Sequence, residues 1–317
     1  MTLEIFYLII QQTMFFMVPL MIVALGGLFS EKSGVINIAL EGKMIMGAFS
    51  GIIVISMFQE SLPGLPILLI AILVSVLTGI VVSFFHAYAA INLRANQIIS
   101  GTAINMFGYA FAVYFARILT GTQNVHFVNQ FRIESVPLLG SIPVIGRMFF
   151  QNTYITTFFG FFLMAVGSFV LYKTKFGLRL RACGEHPGAA DSVGINVVRM
   201  RYAGVLISGA LAGLGGLVFI IPISTIFSGS VSGYGFLALA VLIFGGWNPI
   251  KIIFAAFFFG LLQTIAAGHS AIDFLPNISG HFYRMIPYIV TLVVLAFTSK
   301  NTAAPKALGE VYDKGKR

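Results

Sequence analysis

The sequence is a succession of apolar runs about twenty residues long, the length at which a helix crosses the roughly 30 Å hydrocarbon core of a bilayer. Nine such runs can be drawn, at 5–29, 35–58, 65–91, 97–119, 153–172, 202–222, 233–247, 250–268 and 285–299. Lipid offers no hydrogen bonds to an exposed backbone, so segments of this kind are expected to be helices. Only 9% of the residues are charged, against about 25% in soluble domains. The expected fold class is therefore all-α, a polytopic integral membrane protein with about nine transmembrane helices (eight to ten). One domain takes in residues 1–300, and 301–317 form a basic tail. The seventh run is short and fits a tilted or half-length helix. The N-terminus lacks the basic region of a cleavable signal, so its apolar run is read as a retained first span. The single cysteine, Cys183, excludes an internal disulfide framework and a four-cysteine metal site.

Cations orient these spans. With the N-terminus outside, the inner segments hold 15 of the 19 Lys and Arg residues, and an odd number of crossings places the basic tail in the cytoplasm. Arg117, Arg132, Arg147 and Arg284 remain outside. Dropping the seventh run would move Lys251 and the tail outside, which argues for keeping it. The longest outer connection, 120–152, mixes Pro, Gly and apolar residues and fits a loop lying on the membrane surface. The net charge of +9 is spread over short polar breaks and forms no nucleic-acid patch.

One polar segment stands apart. Lys173–Arg201 carries six cations (Lys173, Lys175, Arg179, Arg181, Arg199, Arg201) and two anions, Glu185 and Asp191. Its middle, Gly184 to Asn196, mixes Ala, Gly and single charges in the manner of a short surface helix. Ala189 and Ala190 would offer a close-packing face, and Arg181, Glu185 and Asp191 charge contacts. Gly184 and Pro187 would set the turn into that helix.

No nucleophile elbow, His-Glu-x-x-His, Walker A loop or Asp-rich cation motif is present, and the five histidines have no metal-ligand spacing. The chain therefore carries no catalytic constellation and no energy source of its own. An ion-coupled secondary carrier would need acids within the spans, where a charge costs about 2.5–3.5 kcal/mol on insertion scales. Only Glu41 meets that condition. The polar candidates for a substrate path are Asn37, Glu41, Gln97, Asn105 and Gln263, and the amides serve equally as interhelical glue. Phe107, Tyr109, Phe111, Tyr114 and Phe115 crowd the fourth run and suit either a planar heterocycle or lipid. Small residues recur every four positions at Gly204, Ser208, Ala212 and Gly216, with Gly209 and Gly213 beside them, and again at Ala256, Gly260, Thr264 and Gly268. Such stripes let helices pack closely, and smooth faces also permit sliding. A six-residue echo links 33–38 (SGVINI) with 192–197 (SVGINV), as internal repeats in transporters do.

Two stretches are too particular for generic membrane sequence: Phe29 to Gly42 (FSEKSGVINIALEG) and Arg181 to Asn196 (RACGEHPGAADSVGIN). With 207–216 (ISGALAGLGG) and 244–250 (FGGWNPI), they resemble the permease subunits of ABC importers in the branched-chain amino acid and simple-sugar permease superfamily. The likeness is strongest to its nucleoside branch and covers about 20–300. The resemblance implies an inner-membrane permease of a bacterial importer for nucleosides, with simple sugars or branched-chain amino acids as the alternative substrates. It implies a separate ATPase that uses ATP and Mg, a second homologous permease, an extracytoplasmic binding lipoprotein and membrane lipid as partners, and no cofactor bound by this chain. It also implies that Arg181, Gly184, Glu185, Ala189, Ala190, Asp191 and Gly194 belong to a cytoplasmic coupling helix, with Gly188 where the wider signature has Glu.

Overall fold

The computed structural model describes residues 3–269, 279–298 and 304–314. Eleven helices appear among them: α1 (Leu3–Lys32), α2 (Leu40–Phe58), α3 (Leu65–Ala87), α4 (Gln97–Thr120), α5 (Ile155–Lys173), α6 (Lys175–Glu185), α7 (Pro187–Ser192), α8 (Val197–Ile223), α9 (Tyr234–Phe244), α10 (Pro249–Gly268) and α11 (Gly280–Thr298). Seven of them (α1, α2, α3 with its π-turn extension to Asn92, α4, α5, α8 and α10) are long and apolar enough to cross a membrane. The protein is a multi-span membrane protein. Local chemistry sets several of the helix starts. Asn96, Asn196 and Asn248 accept backbone N–H groups at the starts of α4, α8 and α10, the preferred use of Asn at that position, and Pro249 follows as the first helical residue of α10.

In lipid the hydrophobic effect gives helices little reason to associate, so contact depends on how closely backbones can approach. α8 shows this most clearly, because it lies at the centre of the bundle and is gripped on three sides. A Cβ at Gly213 would meet Ser75 O of α3 at 2.3 Å, one at Gly47 of α2 would meet Gly213 Cα at 2.3 Å, and one at Gly26 of α1 would meet Ser208 O at 2.9 Å. The stripe read in the sequence is therefore a packing surface. In α10, Gly260 touches Met17 of α1, whereas a Cβ at Gly268 would meet nothing within 4 Å among the described residues. α4 packs through one narrow stripe, Gln97, Gly101, Gly108, Ala112 and Ala116, and leaves Phe107, Tyr109 and Tyr114 more than half exposed.

The expectation of a purely helical chain needs two small amendments. The 120–152 connection is folded: β1 (Val125–His126) pairs antiparallel with β4 (Ile226–Phe227), and β2 (Arg132–Ser135) with β3 (Gln151–Tyr154). Asn129 donates to Ile221 O and Tyr154 Oη, and Ser56 to His126 O, so this cap is stitched to the ends of α2, α5 and α8. The second amendment is at the opposite end, where α1 stops at Lys32 and α2 starts only at Leu40. The expected span 35–58 thus begins with irregular backbone. The seventh expected span, short in sequence and read as a tilted or half-length helix, is half-length, because α9 has 11 residues. Of the expected ninth span and tail, residues 299–303 and 315–317 lie outside the described residues.

Candidate functional site

Two interruptions of helical backbone meet inside the bundle. Residues 33–39 run inward from the end of α1 and are wholly or largely buried, so each peptide group there needs a partner. Side chains from α3 and α4 supply them. Gln97 Oε1 accepts Ile36 N at 2.8 Å, His86 Nε2 lies 3.0 Å from Ile36 O, Asn105 Nδ2 donates to Ile38 O at 2.9 Å, and Asn105 Oδ1 accepts Gly42 N at 2.8 Å. Asn37 is fully buried, donating to Ser208 Oγ at 2.6 Å and accepting from Lys43 Nζ at 2.7 Å. The second interruption is the start of α9. Gly233 has φ +79°, a conformation open to glycine at little cost. The Glu41 carboxylate accepts Gly233 N at 2.9 Å and Gly235 N at 2.6 Å. An acid from α2 thereby caps the positive end of α9. Gly235 makes that approach possible, since a Cβ there would lie 2.3 Å from Glu41 N.

Four of the five polar residues picked from the sequence are thus gathered at these breaks, where they bond to backbone or to one another. Gln263 is half-buried on α10 beside Thr264, which bonds to Thr13 of α1, and it takes no part in holding 33–39. Sequence reasoning gave His86 no role and counted Lys43 only among the inner-segment cations, whereas both are fully buried in the bundle. A polar side chain inside an apolar run was the available signal for each.

The polar segment Lys173–Arg201 forms a second region. Here the structure departs from the expected single short helix over Gly184–Asn196. Thr174 caps α6, its Oγ1 accepting Gly177 N at 3.2 Å, and α6 runs through Gly184 to Glu185. Pro187 opens α7, and Gly194, at φ +83°, turns the chain into α8. Gly184 is a packing residue, because a Cβ there would lie 2.4 Å from Lys32 O at the end of α1. Ala190 turns inward, 3% exposed and packed with Cys183 and Val197, whereas Ala189 faces outward with Val193 at 75% exposure. The outward small-residue face is therefore Gly188, Ala189, Val193 and Gly194, and the expected pairing of Ala189 with Ala190 on one surface does not hold. Burial pushes the Cys183 thiol up to about 11.

Arg181 faces inward as well. Its guanidinium lies 4.8 Å from the Tyr172 ring centre, and Tyr172 Oη donates to Trp247 O at 3.2 Å. Trp247 Nε1 in turn donates to Glu31 Oε2 at 2.5 Å. Contacts thus run from α6 through α5 and the α9–α10 turn to α1. Residues 304–314 close the face: Ala307 N donates to Gly184 O at 2.9 Å, Lys306 N to Glu185 Oε2 at 3.4 Å, and Lys314 lies 4.0 Å from Asp191. A groove of about 520 Å³ lies between them and the α7–α8 turn, lined by Asp191, Gly194, Asn196, Arg199, Tyr312 and Lys314 among others. No group of three or more His, Cys, Asp or Glu able to hold a metal occurs among the described residues.

The family described as branched-chain amino acid transport system, permease component, matches residues 9–295. The chain belongs to this permease family. Curated relatives extend over nearly its whole length. The guanosine ABC transporter permease protein NupQ of Bacillus subtilis (strain 168) is 42% identical over 316 residues, covering 99% of both chains. The nucleoside ABC transporter permease protein NupC of Lactococcus lactis subsp. cremoris (strain MG1363) is 40% identical over 314 residues, 98% of both. NupB, a nucleoside ABC transporter permease protein of the same organism, is 29% identical over 269 residues, 82% of this chain and 72% of its own. No solved structure matches the permease.

In the permease, the stretches that carry the sequence resemblance touch one another. Glu31 from the first bonds to Trp247 of the α9–α10 turn, Gly184 from the second packs on Lys32, and Ser208 of α8 bonds to Asn37. The echo between 33–38 and 192–197 separates into two roles. Asn37 is an interior hydrogen-bonding residue, whereas Asn196 caps α8.

Proposed function

We propose that the permease is the transmembrane subunit of an ABC importer that brings nucleosides across the bacterial cytoplasmic membrane. The observation that carries this reading is its full-length similarity, at 42% and 40% identity, to permeases named for guanosine and nucleoside transport. It catalyses no bond chemistry. ATP and Mg are used by a separate ATPase subunit, and an extracytoplasmic lipoprotein delivers the solute. L. lactis has both NupC and NupB, two permeases that resemble this chain to different degrees, which supports a second, homologous permease as partner. The broad exposed face of α4 offers surface for it.

In this reading nine segments cross the membrane, with α9 and its extended entry 224–233 making one crossing and α11 the last. The N-terminus is outside. The face built by 31–34, 92–96, 173–201 and 304–314 is cytoplasmic, a side its cations favour. The ATPase contacts the α6–α7 region, where Ala189 and Gly194 supply an outward surface and Arg181, Gly184, Glu185, Ala190 and Asp191 hold it to the bundle. The half-helix α9, started by Glu41 and flanked by irregular backbone, supports a substrate path beside the breaks at 33–39 and 224–233, since discontinuous helices mark such sites in transporters.

The test is uptake of labelled guanosine into proteoliposomes holding the assembled transporter. Uptake is expected to require this subunit and internal ATP, and to survive collapse of ion gradients by ionophores. Uptake that follows the gradient and ignores ATP would overturn the reading. ATP-driven uptake of glucose or leucine, without guanosine, would overturn the substrate.

A further inference from the structure

The C-terminal segment 304–314 is short, yet it touches most of the turns on the face that carries α6 and α7. Gly309 N donates to Gly34 O in the α1–α2 connection at 3.0 Å, and Gln97 Nε2 of α4 donates to Gly309 O at 3.5 Å. Arg94, in the α3–α4 turn, holds Asp313 with two bonds of 3.0 and 3.1 Å. Ala307 N and Lys306 N bind Gly184 O and Glu185 of α6, and Lys314 lies against Asp191 of α7. Arg201 of α8, 2% exposed, donates to Glu310 O at 2.8 Å. Tyr312 completes the apolar cluster of Cys183, Ala190 and Val197 that seats α7 on α8.

Most of these bonds use backbone of the segment, so they fix its path whatever its side chains are. Glycine is required at one point. Gly309 has φ +81°, and a Cβ there would lie 2.7 Å from Ile36 Cδ1. A basic tail that served only to orient the chain would need neither this conformation nor a buried arginine spent on a backbone carbonyl.

We infer that residues 304–314 are a positioning strap, which holds α6 and α7 in register with the α1–α2 and α3–α4 turns so that displacement of the coupling segment moves the bundle. The inference rests on the reading of α6–α7 as the contact for the ATPase. Without the strap, a push on α7 would be taken up by local yielding around His186 and Gly194, the breaks at its two ends.

The test compares the full chain with a chain ending at Lys306 and with Gly309→Val, each in the assembled transporter in proteoliposomes. Four quantities are read: permease in the membrane, ATPase that co-purifies, ATP hydrolysed, and guanosine taken up per ATP. The first three are expected to hold while uptake per ATP falls about fivefold or more, the lower end of typical coupling between sites. Unchanged uptake per ATP in Gly309→Val overturns the inference even if the shortened chain fails to accumulate. Loss of uptake in proportion to lost ATPase also overturns it, because the segment would then be a docking surface. If the unaltered chain neither retains the ATPase nor takes up solute with ATP, the coupling reading itself falls, a result distinct from either.

Discussion

Removal of the Glu41 carboxylate tests the interior architecture most directly. In Glu41→Ala the two N–H groups at the start of α9, on Gly233 and Gly235, lose acceptors now at 2.9 and 2.6 Å. The Gly235 donor cannot turn to water, because Gly235 is buried and Glu41 is 7% exposed, whereas Gly233 is half-buried. A buried donor left without a partner costs about 1–3 kcal/mol, so Gly235 contributes about that much and Gly233 less. Part of this is offset, since the variant no longer has to keep a carboxylate out of water, and the expected net loss is about 1–3 kcal/mol. Glu41→Gln keeps one acceptor oxygen and turns an N–H₂ toward the other donor, so it is expected to fall between Ala and the parent. Glu41→Asp, one methylene shorter, cannot reach both donors and should also be intermediate. The assay is the midpoint of thermal aggregation of detergent-purified permease, paired with guanosine uptake after reconstitution. If Glu41→Ala matches the parent in both measurements, the carboxylate is not the cap of α9 and the account of this break is wrong.

Two further predictions concern α6 and α7. Gly184→Ala places a methyl 2.4 Å from Lys32 O and 3.2 Å from Gly34 N, both backbone atoms, so α6 must move away from α1 at a cost of about 1–3 kcal/mol. Gly188→Ala meets nothing within 4 Å among the described residues and should leave thermal stability unchanged where Gly184→Ala lowers it. For Cys183, a thiol pushed up to about 11 by burial is about one thousandth ionised at pH 8, and only the thiolate attacks a maleimide. Labelling of folded permease should be very slow at pH 8 and should speed up steeply toward pH 11. Because the folded chain holds this proton more tightly than the unfolded one, its contribution to stability is full below about pH 9 and is lost as the pH rises toward 11. Rapid labelling at pH 8 would show that Cys183 is not buried.

Much of the bundle was legible because hydropathy and helix length report the same physics. Runs such as 65–91 and 97–119 fall within a few residues of their helices. The breaks were not legible. Val35 to Ala39 is apolar enough to read as the start of a span, and what interrupts the helix is a set of partners from α3 and α4 that appear only on folding. α6 was hidden for another reason. Its Lys and Arg residues carry a topological signal strong enough to explain themselves, and the Thr174–Gly177 cap was the only local sign of a helix start. Ala189 and Ala190, adjacent in sequence, point about 100° apart around a helix axis, so a motif that names both does not say which faces outward and which packs inward. The same limit applies to the tail, whose charges gave no hint that its backbone would be used.

The glycines of α8 fix what can move. Gly204 approaches Phe29 O of α1, and Gly213 approaches Gly47 of α2 and Ser75 O of α3, so turning or slipping α8 would drive its backbone into these three helices. α1, α2, α3 and α8 therefore pack as one tightly interlocked unit. Rearrangement during a transport cycle then falls to the joints around it: α4 on its single stripe, and the short helix α9, bounded by the left-handed glycines Gly233 and Gly246.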